Sequence, residues 1–112
     1  MIYTSYFASK KYDVDKAVCI ARWSPSAMIN MLHCADLYPP ADLLKDWKEH
    51  KITEEEYTRR YKRDVLSKLN PNTVYNALDG KVLLCYEKSG SFCHRNIVRE
   101  WLNFFGYKCE EL

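Results

Sequence analysis

The strongest constraint on the fold is a continuous apolar run at residues 82–86, which breaks into a polar loop and then into a helical pattern. A run without alternation is typical of a strand that is buried on both faces of a sheet. After the loop, apolar residues recur at helical spacing at positions 97, 98, 101, 102 and 105, and residues 107–109 can form one more strand. Strand, helix and strand in such close succession predict a βαβ unit with parallel strands.

The rest of the chain predicts the same class. Residues 2–7 and 18–21 are aromatic, β-branched or apolar and are expected to form two further strands. Thr53 and the three glutamates after it match a capping box, and apolar residues at helical intervals extend from this start to position 69. Residues 40–50 and 70–78 predict two more helices, whereas residues 26–38 predict only partial helix. We therefore expect an α/β fold, a small three-layer α/β/α sandwich with a mainly parallel sheet.

Size and charge narrow the functional classes. With 112 residues, of which 47% are hydrophobic, the chain can bury one core, so a single domain over residues 1–112 is expected. No membrane span or secretory signal is evident, which predicts a cytoplasmic protein without a membrane partner. The net charge of +2 does not indicate nucleic-acid binding. The basic cluster at residues 59–63 follows three glutamates and is expected to be a solvated helix face.

The cysteines do not predict a disulfide scaffold. There are five, an odd number, and their scattered spacing favours reduced thiols. Cys85, Cys93 and His94 are candidate zinc ligands, but they lack the paired spacing of structural zinc sites. The sequence therefore predicts no metal and no cofactor. The spacing from Cys85 to Arg95 also differs from that of a phosphatase loop.

The loop after the apolar run is the predicted site, because ligands of parallel sheets bind beyond the carboxyl ends of the strands. The start of the following helix has free amides, and Ser91 and Arg95 could help them to bind an anion. Cys93 is either a nucleophile activated by this environment or an inert packed residue. His94 either assists proton transfer or hydrogen-bonds a backbone carbonyl. Glu87 is either a general base or nucleophile or the ion-pair partner of Arg95.

The chain resembles the DUF488 family, small α/β proteins of unassigned biochemical function. The resemblance spans nearly the whole chain and is carried by residues 83–88, by Phe92-Cys93-His94-Arg95 with Trp101 and Leu102, and by residues 3–7, 37–39, 57 and 61. It implies a cleft that brings the first strand against the predicted loop, with Thr4, Ser5 and Phe7 facing Cys85, Glu87, Cys93, His94 and Arg95. The segment before Leu37 departs from longer family members, so their contacts there are not transferred.

The leading hypothesis is a small-molecule site for a nucleotide-like, nucleobase-like or other anionic ligand. Aromatic residues, among them Tyr86, could stack on the ligand while the helix start and Arg95 bind its anion. In an enzymatic version Glu87, Cys93 and His94 are catalytic. In a binding version the same residues only hold or sequester the ligand.

Two other classes remain open. Cys85 and Cys93 could form a thiol-redox switch if their α-carbons come within about 7 Å of each other. A tyrosine-rich surface around Tyr57 and Tyr61 could instead serve protein interaction and would allow a homodimer, although the helical spacing of these residues favours a place in the core.

Overall fold

The computed structural model describes residues 1–112 and contains one sheet of five strands together with four α-helices. The strands are β1 (Ile2–Tyr6), β2 (Ala17–Cys19), β3 (Leu32–His33), β4 (Val82–Cys85) and β5 (Cys109–Glu111). The helices are α1 (Ala41–Lys48), α2 (Glu54–Asp64), α3 (Pro71–Leu78) and α4 (His94–Phe104). Short 3-10 segments occupy Val14–Lys16, Ser26–Met28, Ala35–Leu37 and Leu66–Lys68. None of the helices has the length and apolar character needed to cross a membrane.

The sheet is parallel throughout, in the order β3-β2-β4-β1-β5, which confirms the predicted α/β class. Strand β4 is central and buried at all four of its positions, as its continuous apolar run predicts. Helix α4 connects β4 to β5, and β1 lies between these two strands in the sheet. The loop that begins α4 therefore lies at the carboxyl end of the central strand.

The two faces of the sheet are covered differently. Buried residues of all four α-helices pack on one face, together with Ile2, Val18 and Leu83 of the strands. The other face carries Cys19 and Leu84, and the residues packed over it come from loops and a 3-10 segment: Tyr12, Met28 and Met31. The outer layer on this second face consists of short segments rather than α-helices.

Two elements differ in extent from their sequence pattern. Helix α2 ends at Asp64, and a separate 3-10 segment at Leu66–Lys68 continues the apolar positions that predict a longer helix. Residues 26–38 contain two 3-10 segments and the unpredicted strand β3. Both residues of β3 are exposed, so no apolar alternation marks this strand in the sequence.

The prediction of an interaction surface around Tyr57 and Tyr61 is wrong, because both side chains are buried, with exposed fractions of 2% and 0%. The Tyr61 hydroxyl donates a hydrogen bond to the Leu37 carbonyl oxygen at 2.8 Å. The two rings pack toward the sheet as part of the core cluster beneath α2.

The N-cap of α3 is a local folding signal that can be tested by mutation. The Asn70 side-chain oxygen accepts hydrogen bonds from the backbone N–H groups of Asn72 and Thr73. Replacing Asn70 with alanine removes this cap and is expected to lower the free energy of unfolding by about 1 kcal/mol in urea titrations. Asn76→Ala is the matched control, because this exposed residue lies inside the same helix, where alanine is favoured. Equal losses in the two variants would contradict the capping role.

Candidate functional site

A small pocket of about 100 Å³ lies at the carboxyl end of β4. Its walls come from the loop after β4, the start of α4, helices α1 and α2, and the segment after β2. The pocket brings together five of the predicted site residues: Cys85, Tyr86, Glu87, Cys93 and His94. Residues far apart in the chain thus meet where a parallel sheet usually binds its ligand.

Three aromatic rings in mutual contact form one wall of the pocket. The ring centroids are 5.5 Å apart for Trp47 and Tyr57, 5.0 Å for Trp47 and Phe92, and 5.2 Å for Tyr57 and Phe92. Trp47 lies on α1 and Tyr57 on α2, whereas Phe92 directly precedes Cys93. Packing of Phe92 against the two helices therefore anchors the loop at the point where the cysteine and histidine follow.

Cys85 and Cys93 are both buried, and their sulfur atoms lie within bonding distance of each other. Their α-carbons are 7.6 Å apart. Arg95 donates a hydrogen bond from Nη1 to the Cys85 sulfur at 2.9 Å. The pair thus joins the end of β4 to the N-cap of α4, whereas Cys19, Cys34 and Cys109 are free.

His94 is buried, and its Nε2 lies 2.8 Å from the Ile20 carbonyl oxygen, which confirms the expected backbone hydrogen bond. Burial lowers the pKa of His94 to about 4; the hydrogen bond to Ile20 opposes this shift, and the charge of Arg95 adds to it. The imidazole is therefore neutral near pH 7. A carbonyl oxygen can only accept, so the hydrogen is on Nε2 and the Nδ1 lone pair is free. This Nδ1 lies 3.7 Å from the Cys93 sulfur.

Arg95 does not pair with the Glu87 carboxylate, so that expectation is wrong. Its guanidinium is fully buried and donates from Nε and Nη2 to the two carboxylate oxygens of Glu111, at 3.1 and 3.0 Å. Arg95 contacts Glu87 only through the backbone, where Nη1 donates to the carbonyl oxygen at 2.7 Å. Arg95 was expected to bind a ligand anion. It instead makes a bidentate pair with Glu111, a carboxylate of the chain itself.

Glu111 also accepts hydrogen bonds from Thr4, a predicted site residue, and from Ser89, which was not predicted. The hydroxyl groups of Thr4 and Ser89 donate to its carboxylate at 2.5 and 2.6 Å. Burial alone would raise the pKa of Glu111, but the hydrogen bonds from Arg95, Ser89 and Thr4 together hold it below its usual value. Glu111 is accordingly ionised at neutral pH and balances the buried charge of Arg95.

The remaining predicted ligand-binding residues lie outside the pocket lining. Thr4 and Ser5 are buried in the middle of β1, between its two neighbouring strands, and the Ser5 hydroxyl has no hydrogen-bond partner. Phe7 is buried with its ring 4.7 Å from that of Tyr86. Ser91 is exposed and lines a separate surface depression. None of these four residues lines the pocket, but Phe7 belongs to the same buried cluster as Cys85 and Cys93, as the family resemblance implies.

Charged groups surround the mouth of the pocket. Glu87 is exposed and forms no salt bridge with another side chain. Lys48 lies with its Nζ 5.8 Å from the ring centroid of Trp23, and Arg22 donates from Nε to the Pro39 carbonyl oxygen at 2.8 Å. Burial raises the pKa of the Tyr57 hydroxyl, and the charge of Glu87 raises it further. One carboxylate and two cations therefore lie at the mouth of the pocket, beside its aromatic wall.

Two groups of residues at the site were not predicted from the sequence. Trp47 and Tyr57 have the spacing of core positions in their helices, and nothing in the sequence distinguishes a core ring from a ring at a pocket wall. Glu111 lies in a three-residue strand without an apolar pattern. The one indication that Arg95 has a carboxylate partner such as Glu111 is its buried position on α4, because a buried guanidinium requires a counter-charge.

The chain is thus a small α/β protein whose parallel sheet carries a cysteine pair, a neutral histidine and an aromatic-walled pocket at the carboxyl end of its central strand. A family model described as DUF488-N3a, the active DUF488-N3 subclade, matches residues 8–105. The chain therefore belongs to the DUF488 family. No curated protein and no solved structure matches it.

The Arg95–Glu111 pair can be tested by removing its negative charge. Glu111→Gln leaves a buried guanidinium without a counter-charge and is expected to lower the free energy of unfolding by about 3 kcal/mol. Glu110→Gln is the matched control, because the neighbouring Glu110 is exposed and makes no side-chain hydrogen bond. Chemical denaturation at pH 7 measures both. If the two variants lose the same stability, the ion pair does not hold the site together.

Proposed function

We propose that the chain binds a small molecule that inserts a planar ring into the pocket at the end of β4, and that it acts on this ligand chemically. The observation that carries the proposal is the meeting of an aromatic wall with Glu87, Cys93 and His94 in one pocket. Aromatic walls favour planar ligands, whereas a few convergent polar groups orient them and supply chemistry.

The size of the pocket restricts the part of the ligand that enters. A cavity of roughly 150 Å³ holds a benzene ring in a protein core, whereas this pocket is smaller, at about 100 Å³, so only part of one planar ring enters and the rest of the ligand lies at the open mouth. A nucleobase-like group fits this limit better than a whole nucleotide. An anionic remainder would lie outside, near Arg22 and Lys48, rather than on Arg95, whose guanidinium is occupied by Glu111.

The chemistry assigned to the pocket follows from the placement and hydrogen bonding of its polar groups. Glu87 is exposed at the mouth, unpaired by any cation of the chain, and suited to act as a general base. The free Nδ1 of His94 faces the Cys93 sulfur and can accept a hydrogen bond from its thiol when the thiol is reduced, which orients the sulfur in the pocket. The description of the matching subclade as active favours an enzyme over a protein that only sequesters its ligand.

Binding can be tested at the rim of the pocket, where a substitution leaves the core intact. Trp23→Ala removes a ring that lines the pocket and is 65% exposed, and it is expected to weaken binding about tenfold. Phe104→Ala is the control, since this ring is 84% exposed and lines a different groove. A panel of nucleobases, nucleosides and nucleoside monophosphates is titrated by calorimetry. Equal affinity for both variants would remove the pocket from consideration.

Catalysis is separated from binding by substitutions at the two candidate reacting groups. Glu87→Gln and Cys93→Ser are incubated with the same panel, and products are followed by mass spectrometry. An enzyme is expected to lose turnover roughly 100-fold or more while it still binds. Loss of binding without any turnover in the unaltered chain would indicate a receptor instead.

A second candidate function is a thiol-redox switch. The contact between the Cys85 and Cys93 sulfurs favours it, but their α-carbons are 7.6 Å apart, beyond the expected limit of about 7 Å, so an ordinary disulfide requires the two backbone segments to move closer. Formation of the disulfide removes two protons and two electrons from the thiols, and oxidised glutathione can take them up. After mild treatment with this oxidant, we expect thiol labelling to decrease at Cys85 and Cys93 and to persist at the partly exposed Cys34. Unselective protection of all five cysteines would exclude this function.

Two further expectations accompany the proposal. A chain with three free cysteines suits a reducing compartment such as the cytoplasm. A homodimer is the expected assembly if exposed aromatic residues such as Phe104 pair between copies, and sedimentation measurements test this.

A further inference from the structure

We propose that the reduced cysteine pair and His94 together bind one soft divalent metal ion, best matched by Zn²⁺, at the inner end of the pocket. The inference deepens the proposed function, because it rests on the same pocket and names what lies at its base. It also revises the sequence-based prediction of no metal, which depended on spacing alone.

The three donor groups are already gathered in the fold. One ligand atom from each of Cys85, Cys93 and His94 lies within 4.8 Å of the others. Tetrahedral Zn²⁺ with Zn–S of about 2.3 Å and Zn–N of about 2.0–2.1 Å places a sulfur and a nitrogen about 3.6 Å apart. The distance between the Cys93 sulfur and His94 Nδ1 is 3.7 Å. This pair therefore has the spacing of two ligands of one ion.

His94 is held in the orientation that a metal ligand requires. Its Nε2–H donates to the Ile20 carbonyl oxygen at 2.8 Å, which leaves the Nδ1 lone pair directed to the cysteine side. Histidine ligands typically fix their tautomer in this manner, by donating the other ring N–H to a carbonyl or carboxylate. The hydrogen bond from Arg95 to the Cys85 sulfur supplies a similar outer contact to a second ligand.

Charge balance favours an ion at this position. Arg95 is already neutralised by Glu111, so two thiolates at the base of the pocket would be buried charges without a counter-charge. A divalent cation neutralises both thiolates, and His94 adds a ligand without adding charge. The complete set of side chains and ion is then electrically neutral.

The spacing between the cysteines permits a bridging ion. Their α-carbons are 7.6 Å apart, wider than the usual range of about 4.4–6.8 Å in disulfides. In the reduced protein the sulfurs separate, and tetrahedral Zn²⁺ requires them to be about 3.8 Å apart. Structural zinc sites need four protein ligands in paired spacing, whereas a site with an open position needs only three. All three donors line the pocket, so the open position faces its interior.

Cobalt titration tests the inference directly. The chain is reduced with a phosphine, freed of metal with a chelator and titrated anaerobically with Co²⁺, whose thiolate charge-transfer and tetrahedral bands report its ligands. We expect one ion per chain and displacement by Zn²⁺. Cys85→Ser, Cys93→Ser and His94→Asn should each weaken binding at least about 100-fold. Cys34→Ser, which alters a free and partly buried cysteine, should leave binding unchanged.

The outcomes separate this inference from the proposed function. Absence of a thiolate band, or binding that survives Cys93→Ser, would overturn the metal site, and circular dichroism establishes that each variant is folded. If His94→Asn does not fold, the two serine variants decide the result. Metal-free protein that still binds the nucleobase panel would retain the small-molecule pocket without the ion. Metal binding without ligand binding would contradict the proposed function and leave the metal site established.

Discussion

The structure of the site depends on the buried ion pair between Arg95 and Glu111. A guanidinium removed from water is costly unless every donor is used. Here two nitrogens bind the carboxylate, and the third reaches the Glu87 carbonyl oxygen and the Cys85 sulfur. The last strand of the chain, the end of the central strand and the start of α4 are therefore held together by one side chain. Any movement of the loop would leave part of this charge unsatisfied.

The loop between β4 and α4 is also held by apolar contacts at Phe92. Phe92 packs against both Trp47 and Tyr57, so apolar contacts attach it to α1 and α2, while Arg95 attaches the start of α4 to β5. Cys93 and His94 lie between these two attachments and are buried. The residues at the inner end of the pocket are thus fixed by packing and hydrogen bonds, whereas Glu87 at its mouth is exposed.

The parts of this arrangement that the sequence predicted are those set by local patterns. Capping by Thr53 and Asn70, the buried strand at residues 82–85 and the helix after Cys93 all follow from neighbouring residues. The convergence of Cys85, Cys93 and His94 follows as well, because one tight connection contains all three. The partner of Arg95 could not be predicted, since a carboxylate sixteen residues away in a short strand competes with the much nearer Glu87. Burial determines that Arg95 pairs with Glu111 rather than with Glu87, and the order of residues along the sequence does not reveal which carboxylate is buried.

The inner end of the pocket would differ chemically between the oxidised and the reduced state of the cysteine pair. With the sulfurs bonded, neither can ligate as a thiolate, and His94 contributes only a neutral ring, so the inner end is apolar and unreactive. With the sulfurs reduced around a cation, the same pocket would contain a Lewis acid opposite the exposed carboxylate of Glu87. Burial keeps His94 neutral and the hydrogen bond to Ile20 holds its tautomer, so this ring need not reorient between the two states. The redox state of two sulfurs would then decide whether the pocket only binds its ligand or also activates it.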